Sequence, residues 1–358
     1  MTDIRLGLIG AGAVGVLHAE AATAAPGVHV TAVCDIVSGT AERVAKPVGA
    51  AVFSDYRDLI ASGTVDAVIV NTPHALHTDI VTDCATAGLH ILVEKPMATN
   101  SADCAAMEHA CADAGVVLFV GHIQHFLPPM VAAKAAIDAD AIGAPLAVND
   151  WRSTDYRAGS RPAWFFDPAL SGGGVFINIG THCVDRLLWL TGRRVVAVGA
   201  RATYRGDTGL ETDVLARLEL EDGVVGHLTV TSALLPARDE LTLIGERGTI
   251  RVCRGTGATL HPDDGSGPVV LAEETADDIP TAFRNQLAAF ATAVRGQEPP
   301  AVPAAYGRQV IEVVESVYRS CGTGGRVLLA DRAGTLVACP ARRPALGHGI
   351  QHPRLPRG

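Results

Sequence analysis

No stretch of the chain stays apolar for the roughly 20 residues that a membrane-spanning helix needs. Its first residues also lack a basic segment followed by an apolar one. These two absences predict a soluble, cytoplasmic protein. Positive charge is in short supply: 29 Lys and Arg stand against 38 Asp and Glu, for a net charge of −9. With no basic stripe to neutralise phosphates, nucleic acid is excluded as an expected partner. The eight cysteines are scattered and none forms a C-x-x-C pair, so a zinc ribbon or a dithiol redox motif is not expected and reduced, mostly buried thiols are. The pairs His74-x-x-His77 and His122-x-x-His125 have no suitably spaced acidic or cysteine ligand beside them, and no metal site is expected.

The 358 residues, 48% hydrophobic and 19% charged, suit a globular protein of two domains with a large core. The most informative stretch is Ile4 to Asp35. An apolar run, Leu6-Gly7-Leu8-Ile9, reads as one buried strand. It is followed by Gly10-Ala11-Gly12-Ala13-Val14-Gly15, the G-x-G-x-x-G spacing, and by an Ala-rich helical segment from Val16 to Ala25. Pro26-Gly27 stops that helix, and Val28 to Cys34 reads as a second strand closing on Asp35. In a strand–turn–helix setting Gly10 permits the tight turn, Gly12 lets a pyrophosphate approach the backbone, and Gly15 lets the helix pack closely. The helix N-terminus offers unpaired N–H groups to that pyrophosphate. Asp35 stands where a ribose 2′-hydroxyl needs an acceptor. Its carboxylate repels a 2′-phosphate and Ile36 supplies no compensating cation, which points to NAD over NADP. The nearest downstream cation is Arg43.

Beyond Asp35, strands and helices alternate up to Val120, which predicts a parallel sheet covered on both faces. Ligands in such sheets lie beyond the carboxyl ends of the strands, where Gly10–Gly15, Asn71-Thr72-Pro73, Glu94-Lys95 and His122 all fall. From about Gln124 the character changes. Leu146–Arg152, Val195–Tyr204, Thr212–Leu220, Val224–Thr231 and Glu240–Ile244 read as strands, with a hairpin signal at Asp222-Gly223. Amphipathic helices are expected over Thr281–Arg295 and Tyr306–Cys321. The reading is therefore α/β: a doubly wound parallel sheet over 1–122, an α/β domain with a large, mostly antiparallel open sheet over 123–330, and a loose tail over 331–358.

Two places can carry chemistry. Lys95, at the end of a parallel strand, would lie beside a nicotinamide, where an ammonium polarises a carbonyl or stabilises an alkoxide. The plainer reading is an exposed lysine paired with Glu94. The other is Ser171-Gly-Gly-Gly-Val-Phe-Ile-Asn-Ile-Gly-Thr-His-Cys-Val-Asp185, where Asn178 and His182 share a face if the segment is a regular helix. Gly180 within it costs about 1 kcal/mol against alanine, so a neighbour is expected to approach its backbone. His182 can exchange a hydroxyl proton near neutral pH, or be an ordinary core histidine. Asn178, His122, Tyr156, Arg161 and Trp164 are candidate substrate contacts. Pro73 and His77 are expected to line the cofactor side.

Taken in order, GAGAVG at Gly10, Asp35, NTPHALH at Asn71, EKP at Glu94, GHIQHF at Gly121 and GGGVFINIGTHCVD at Gly172 resemble the glucose-fructose oxidoreductase/inositol dehydrogenase (Gfo/Idh/MocA) family from Ile4 to about Leu329. The closing AYGRQVIEVVESVYRSCGTGGRV is similar as well. The resemblance implies hydride transfer between NAD(P) and a hydroxyl or keto carbon of a sugar, sugar derivative or cyclitol. It places Lys95 and His182 on the family's catalytic lysine and histidine, and implies a homo-oligomer, dimer or tetramer, built on the open sheet. Some relatives recycle a bound NAD to cleave a glycosidic bond through a transient keto sugar, and a non-catalytic NAD-binding regulator is a third reading. The chain departs from the family twice. Many members carry aspartate where Asn178 stands, and many have an arginine near His125. Both departures bear on the substrate more than on the reaction.

Overall fold

The computed structural model describes residues 3–232 and 237–329, and the tail expected over 331–358 lies outside the described residues. Six strands form the first sheet: β1 (Ile4–Ile9), β2 (Val28–Cys34), β3 (Ala51–Phe53), β4 (Ala67–Val70), β5 (His90–Glu94) and β6 (Leu118–Gly121). Their order is β3-β2-β1-β4-β5-β6 and every pairing is parallel. β-Branched and leucine side chains occupy both faces of the central strands. Leu6, Leu8, Val68, Ile69, Ile91 and Leu92 are completely buried, as helices on both sides require. Local signals set the helix ends. Asp55 and Asn100 cap N-termini by accepting from the N–H groups of Arg57 and Asp103, while Gly49 and Gly115 stop helices in the left-handed region. The order reverses between β1 and β4, and the crevice at their carboxyl ends is the natural ligand site of such a sheet.

Nine strands form the second sheet: β7 (Pro145–Ser153), β8 (Val195–Thr203), β9 (Asp213–Leu220), β10 (Val225–Thr231), β11 (Arg238–Gly245), β12 (Gly248–Cys253), β13 (Gly257–Pro262), β14 (Val269–Ala272) and β15 (Val327–Leu328). They run in the order β14-β13-β12-β11-β7-β10-β9-β8-β15. Among the described residues of this sheet, only β7 and β10 pair in parallel. The expected hairpin joins β9 to β10, with Asp222 and Gly223 both at positive φ (57° and 79°). One face buries Val214, Leu218, Leu228, Leu241 and Leu243 against the helices Thr181–Thr191 and Ala304–Thr323. On the other face the alternate residues, among them Trp151, Leu215, Arg217 and His227, remain exposed.

Several elements were not read from sequence. The helix Pro128–Asp138 begins with two prolines, which punctuate a sequence but fit a first helical turn. β13 and β14 are short and lie among Gly, Pro and Asp. The helix expected over Thr281–Arg295 is present as Asp278–Val294, but its packing was not read: it follows the second sheet in the chain yet packs on the first. Phe283, Leu287 and Phe290 join that core against the helix Ala13–Thr23.

The glycine turn shows why its spacing matters. Gly10 sits at φ +94°, and a Cβ there would lie 2.7 Å from the Asn71 carbonyl oxygen. A Cβ on Gly15 would lie 2.5 Å from the Gly10 oxygen, whereas one on Gly12 would meet nothing within 4 Å. Gly10 and Gly15 are thus demanded by the fold, and Gly12 is left for a ligand. Gly10→Ala is expected to lower stability by about 1–3 kcal/mol in denaturant melts. Gly12→Ala is expected to melt like the parent but to bind NAD about tenfold or more weakly by fluorescence titration. A large loss of stability in Gly12→Ala would contradict that division.

Candidate active site

The nucleotide end of the site is built by β1, β2 and β4. Asp35, at the end of β2, accepts from the Ala11 N–H (2.9 Å) and the Val37 N–H (2.9 Å), so its carboxylate also fixes the glycine turn. Ile36 beside it is 90% exposed, and Val14 of the turn is exposed as well. At the end of β4 the Asn71 amide donates to the Gly10 carbonyl at 3.4 Å, while Asn71 Oδ1 and Thr72 Oγ1 are buried without a partner. An open backbone at Gly12 and unpartnered polar atoms at Asn71 and Thr72 fit a dinucleotide laid across Gly10–Gly15. Its pyrophosphate would rest on the start of the helix Ala13–Thr23.

The chemistry-bearing end is where the two sheets meet. Lys95 leaves β5 and reaches the second unit, its Nζ donating to both the backbone oxygen (3.2 Å) and Oδ1 (3.1 Å) of Asn178. Burial brings the Lys95 pKa down to about 8. Glu94 pulls it back up, while Arg152 and Arg161 push it lower. Glu94 is itself tied down, paired with His18 Nε2 at 3.0 Å and accepting from the Lys95 N–H at 3.1 Å. Burial works to raise the Glu94 pKa, but His18 and Lys95 outweigh it and hold the group below its ordinary range.

Asn178 and His182 do not share the regular helix expected of them. Phe176–Gly180 forms a π-helical turn that leads into the helix Thr181–Thr191, a geometry common at functional sites. The close approach expected at Gly180 comes from within this turn, since a Cβ there would lie 2.4 Å from the Phe176 ring. Upstream, the Gly174 and Phe176 N–H groups donate to the buried Glu211 carboxylate, which also accepts from the Tyr318 hydroxyl at 2.7 Å. A Cβ on Gly174 would stand 2.2 Å from the Glu211 carbonyl oxygen, which accounts for glycine there.

His182 is partly buried, with Nδ1 enclosed and without a hydrogen-bond partner. Burial, then Lys95 and Arg152, lower its pKa well below the ordinary histidine value. Tyr156 is buried and close to the Asn178 side chain, and burial pushes its hydroxyl up to about 12. The Arg161 guanidinium lies 5.0 Å from the Tyr156 ring centre and 5.6 Å from that of Phe165. Trp164 stacks on Phe165 at 3.8 Å and meets the His74 ring edge-on at 4.9 Å.

Two expected contact residues are placed elsewhere. His77 has no exposed surface; its ring nitrogens face the carbonyl oxygens of Thr72 (2.9 Å), Pro96 (3.2 Å) and Met97 (3.2 Å). It ties the loop after β4 to the loop carrying Lys95 instead of lining the cofactor side. His122 is also fully enclosed, with Nδ1 3.5 Å from Asp185 Oδ2, so it reaches a substrate only through its neighbours. Asp185 accepts from His125 and from the Tyr306 hydroxyl, both at 2.8 Å. Burial raises the Asp185 pKa, but His122, His125 and the Tyr306 hydrogen bond together hold it low.

Sequence reading missed Arg152. On β7 it shares the inward parity of Val148 and Asp150, a period-two signal that was available. Its Nη2 pairs with Asp239 at 2.8 Å, and its Nη1 is buried without a partner. Arg186, one helical turn beyond His182, holds Asp150 through two nitrogens (3.0 and 2.6 Å) and Asp239 through a third (2.7 Å). Among the described residues no group of His, Cys, Asp and Glu is arranged to hold a metal ion, and no helix is long and apolar enough to cross a membrane.

Comparison with known proteins accords with this geometry. Residues 4–122 match the profile of the oxidoreductase family with the NAD-binding Rossmann fold, and residues 130–251 match the Gfo/Idh/MocA C-terminal domain. Inositol 2-dehydrogenase 1 of Saccharopolyspora erythraea is 30% identical over 339 residues, covering 92% of this chain and 98% of that protein. The scyllo-inositol 2-dehydrogenase (NAD(+)) of Bacillus subtilis is 28% identical over 314 residues, 84% of this chain and 89% of the other. The crystal structure of GenD2 from gentamicin A biosynthesis, in complex with NAD, superposes with a TM-score of 0.83 at 26% identity, covering 92% of this chain and 97% of that one. With a dinucleotide turn on one sheet, a lysine reaching from it to the second, and both halves matched, the chain belongs to the Gfo/Idh/MocA family of NAD-binding oxidoreductases.

Proposed function

We propose that the protein transfers hydride between NAD and a hydroxyl or keto carbon of a sugar, sugar derivative or cyclitol, with Lys95 and His182 as its catalytic residues. The observation that carries this reading is the Lys95 ammonium held against Asn178, one turn before His182, at the carboxyl edge of β5. The names of the inositol dehydrogenase relatives support the substrate class. Asp35 beside the exposed, uncharged Ile36 supports NAD over NADP. When bound, the nicotinamide accepts or returns the hydride.

Proton handling falls to the chain's own groups. His182 is the acceptor that the motif suggests, yet burial and neighbouring cations leave it with little affinity for a proton. Lys95, brought down to about 8, has the proton affinity that work near neutral pH needs. In oxidation its free amine takes the hydroxyl proton, and in reduction its ammonium returns it. His182 stays neutral and donates its ring N–H to the oxygen of that hydroxyl, which orients it. Asn178, unable to act as a base, offers its unpartnered Nδ2–H to a second substrate oxygen.

Oxidation needs the free amine, so kcat/KM for oxidation should rise to a plateau with an apparent pKa near 8, while the reverse reaction falls over the same range. Asn178→Asp puts a carboxylate on the ammonium and should move both limbs to higher pH. Lys95→Met should cost about 10²–10⁴ in kcat. Limbs that stay in place in Asn178→Asp would remove Lys95 from the proton-transfer role. NADH formation against a polyol and sugar panel, with NADP in parallel, tests the reaction. Turnover without added NAD that releases an aglycone would favour the glycoside-cleaving alternative, and NAD binding with no turnover would favour the regulator.

We further propose that a second copy covers the open sheet. Across β8, β9, β10, β7 and β11, Arg201, Leu215, Thr229, Trp151 and Glu240 stand in one outward row. Leu215 is 55% exposed and Trp151 43%. Such a broad uncovered face is characteristic of an interaction surface. Leu215→Glu should shift the protein toward monomer in sedimentation velocity, and an unchanged profile would argue against this face.

A further inference from the structure

Two arginines near the reacting groups take no part in hydride or proton transfer, and their surroundings say what they would bind. Arg161 has no ion pair or hydrogen bond to its guanidinium among the described residues, and its Nε is buried without a partner. The rings of Tyr156 and Phe165 hold it in place. The one nearby acid on its own loop, Asp155, is taken by Arg157 through two bonds of 2.6 and 2.8 Å. Arg152 gives one nitrogen to Asp239 and keeps Nη1 buried and unpartnered. Arg161 lies close enough to both Arg152 and Lys95 for the like charges to be felt, and Arg152 is close to His182.

The negative groups nearby are already engaged. Glu94 serves His18 and Lys95, Asp150 and Asp239 serve Arg186 and Arg152, and Glu211 serves Gly174, Phe176 and Tyr318. At position 178, against Lys95, stands a neutral amide. A fixed, half-buried guanidinium that feels only Asp155, an acid already held by Arg157, and makes no ion pair of its own is an expensive arrangement unless a ligand supplies the charge. The glycine turn that would take the cofactor's pyrophosphate lies at the end of β1, whereas Arg161 stands with Tyr156 near Asn178.

Resting on the hydride-transfer reading, we propose that the substrate is an acidic sugar or polyhydroxy acid whose carboxylate is bound by Arg161, with the free Nη1 of Arg152 as the second donor. A planar carboxylate matches a guanidinium fork, and the Tyr156 and Phe165 rings pre-set its orientation. Hydroxyl groups then fall to Asn178 and His182, and the carbon to be oxidised lies beside Lys95.

The test compares glucuronate with glucose, and galacturonate with galactose, in the full-length enzyme with NAD, for the parent, Arg161→Gln and Arg161→Lys. Glucose 6-phosphate serves as an arm for the alternative anion, a phosphate. We expect at least one uronate to exceed its neutral partner by about 100-fold in kcat/KM. In Arg161→Gln that ratio should collapse toward one, mainly through KM, with partial recovery in Arg161→Lys. Binding of the same uronates to the enzyme–NAD complex, read by calorimetry, is independent of turnover. Uronate binding that is lost in Arg161→Gln supports the subsite even where no sugar is oxidised, in which case only the reaction reading fails. Neutral sugars turned over as well as uronates would overturn the proposal while leaving the reaction intact. Preference for the phosphate arm would overturn the carboxylate assignment. Weakened NAD binding in Arg161→Gln, with an unchanged uronate ratio, would assign the arginine to the cofactor and likewise overturn it.

Discussion

Of the contacts that join the halves of this molecule, the one that bears the chemistry is the Lys95 ammonium on the backbone and side-chain oxygens of Asn178. Holding an ammonium in a partly buried crevice is costly, and the cost is offset by an arrangement reaching well beyond the site. Glu94 supplies the counter-charge, and His18 on the helix Ala13–Thr23 keeps Glu94 in place. Gly121 on β6 leaves room for it, since a Cβ there would come within 3.0 Å of the Glu94 carboxyl carbon. His77 pins the loop that follows Lys95 to the loop after β4. The first sheet therefore sets the lysine's position and its counter-charge, while burial and the second sheet's Arg152 and Arg161 lower its proton affinity.

The second sheet fixes its own contribution through the helix Thr181–Thr191. Asp185 is held by His125 and Tyr306, and Arg186 by Asp150 and Asp239. Buried ion pairs of this kind add little to net stability against apolar replacements, because desolvation consumes the Coulombic gain. Their directionality is another matter: two opposed clusters on adjacent residues leave the helix little rotational freedom. His182, three residues before Asp185, inherits that orientation. The π-helical turn before it is fixed from the other side, where Glu211 and Tyr318 hold the backbone of Gly174 to Ile177.

What could be read from sequence follows the range of the interactions involved. The glycine turn, the Asp35 switch from strand to loop, and the helix stops at Gly49 and Gly115 are local, and their chemistry lies within a few residues. The parallel strands of the first sheet, though not their order, and the Asp222-Gly223 hairpin follow from periodicity and turn chemistry of the same kind. Contacts between distant segments were not legible: His122 and His125 meet Asp185 some 60 positions away, and the helix Asp278–Val294 returns to the first core. Nothing in the spacing of Asn178 and His182 distinguishes a π-turn from a regular one, since both keep the backbone helical. Arg152 was legible in principle from strand parity, but an inward arginine next to an outward tryptophan signals function only once Asp239 and Lys95 are placed around it. The burial of His77 and His122 follows from the same long-range packing.

Asn178 and Arg161 are best understood together. A carboxylate at 178 would neutralise Lys95 and stand near any anion brought to Arg161. At a separation of about 6 Å and an effective dielectric constant near 20, like charges cost about 3 kcal/mol, more than a hundredfold in affinity. A site built for a neutral polyol tolerates an aspartate there, because a hydroxyl is a good donor to a carboxylate. A site built for an acid does not. The amide at 178 and the unpaired guanidinium at 161 are then two consequences of one charge balance. In that balance the anion missing from the protein is the one the substrate carries, and Lys95 keeps a proton affinity near the working pH because no fixed carboxylate at 178 holds its ammonium.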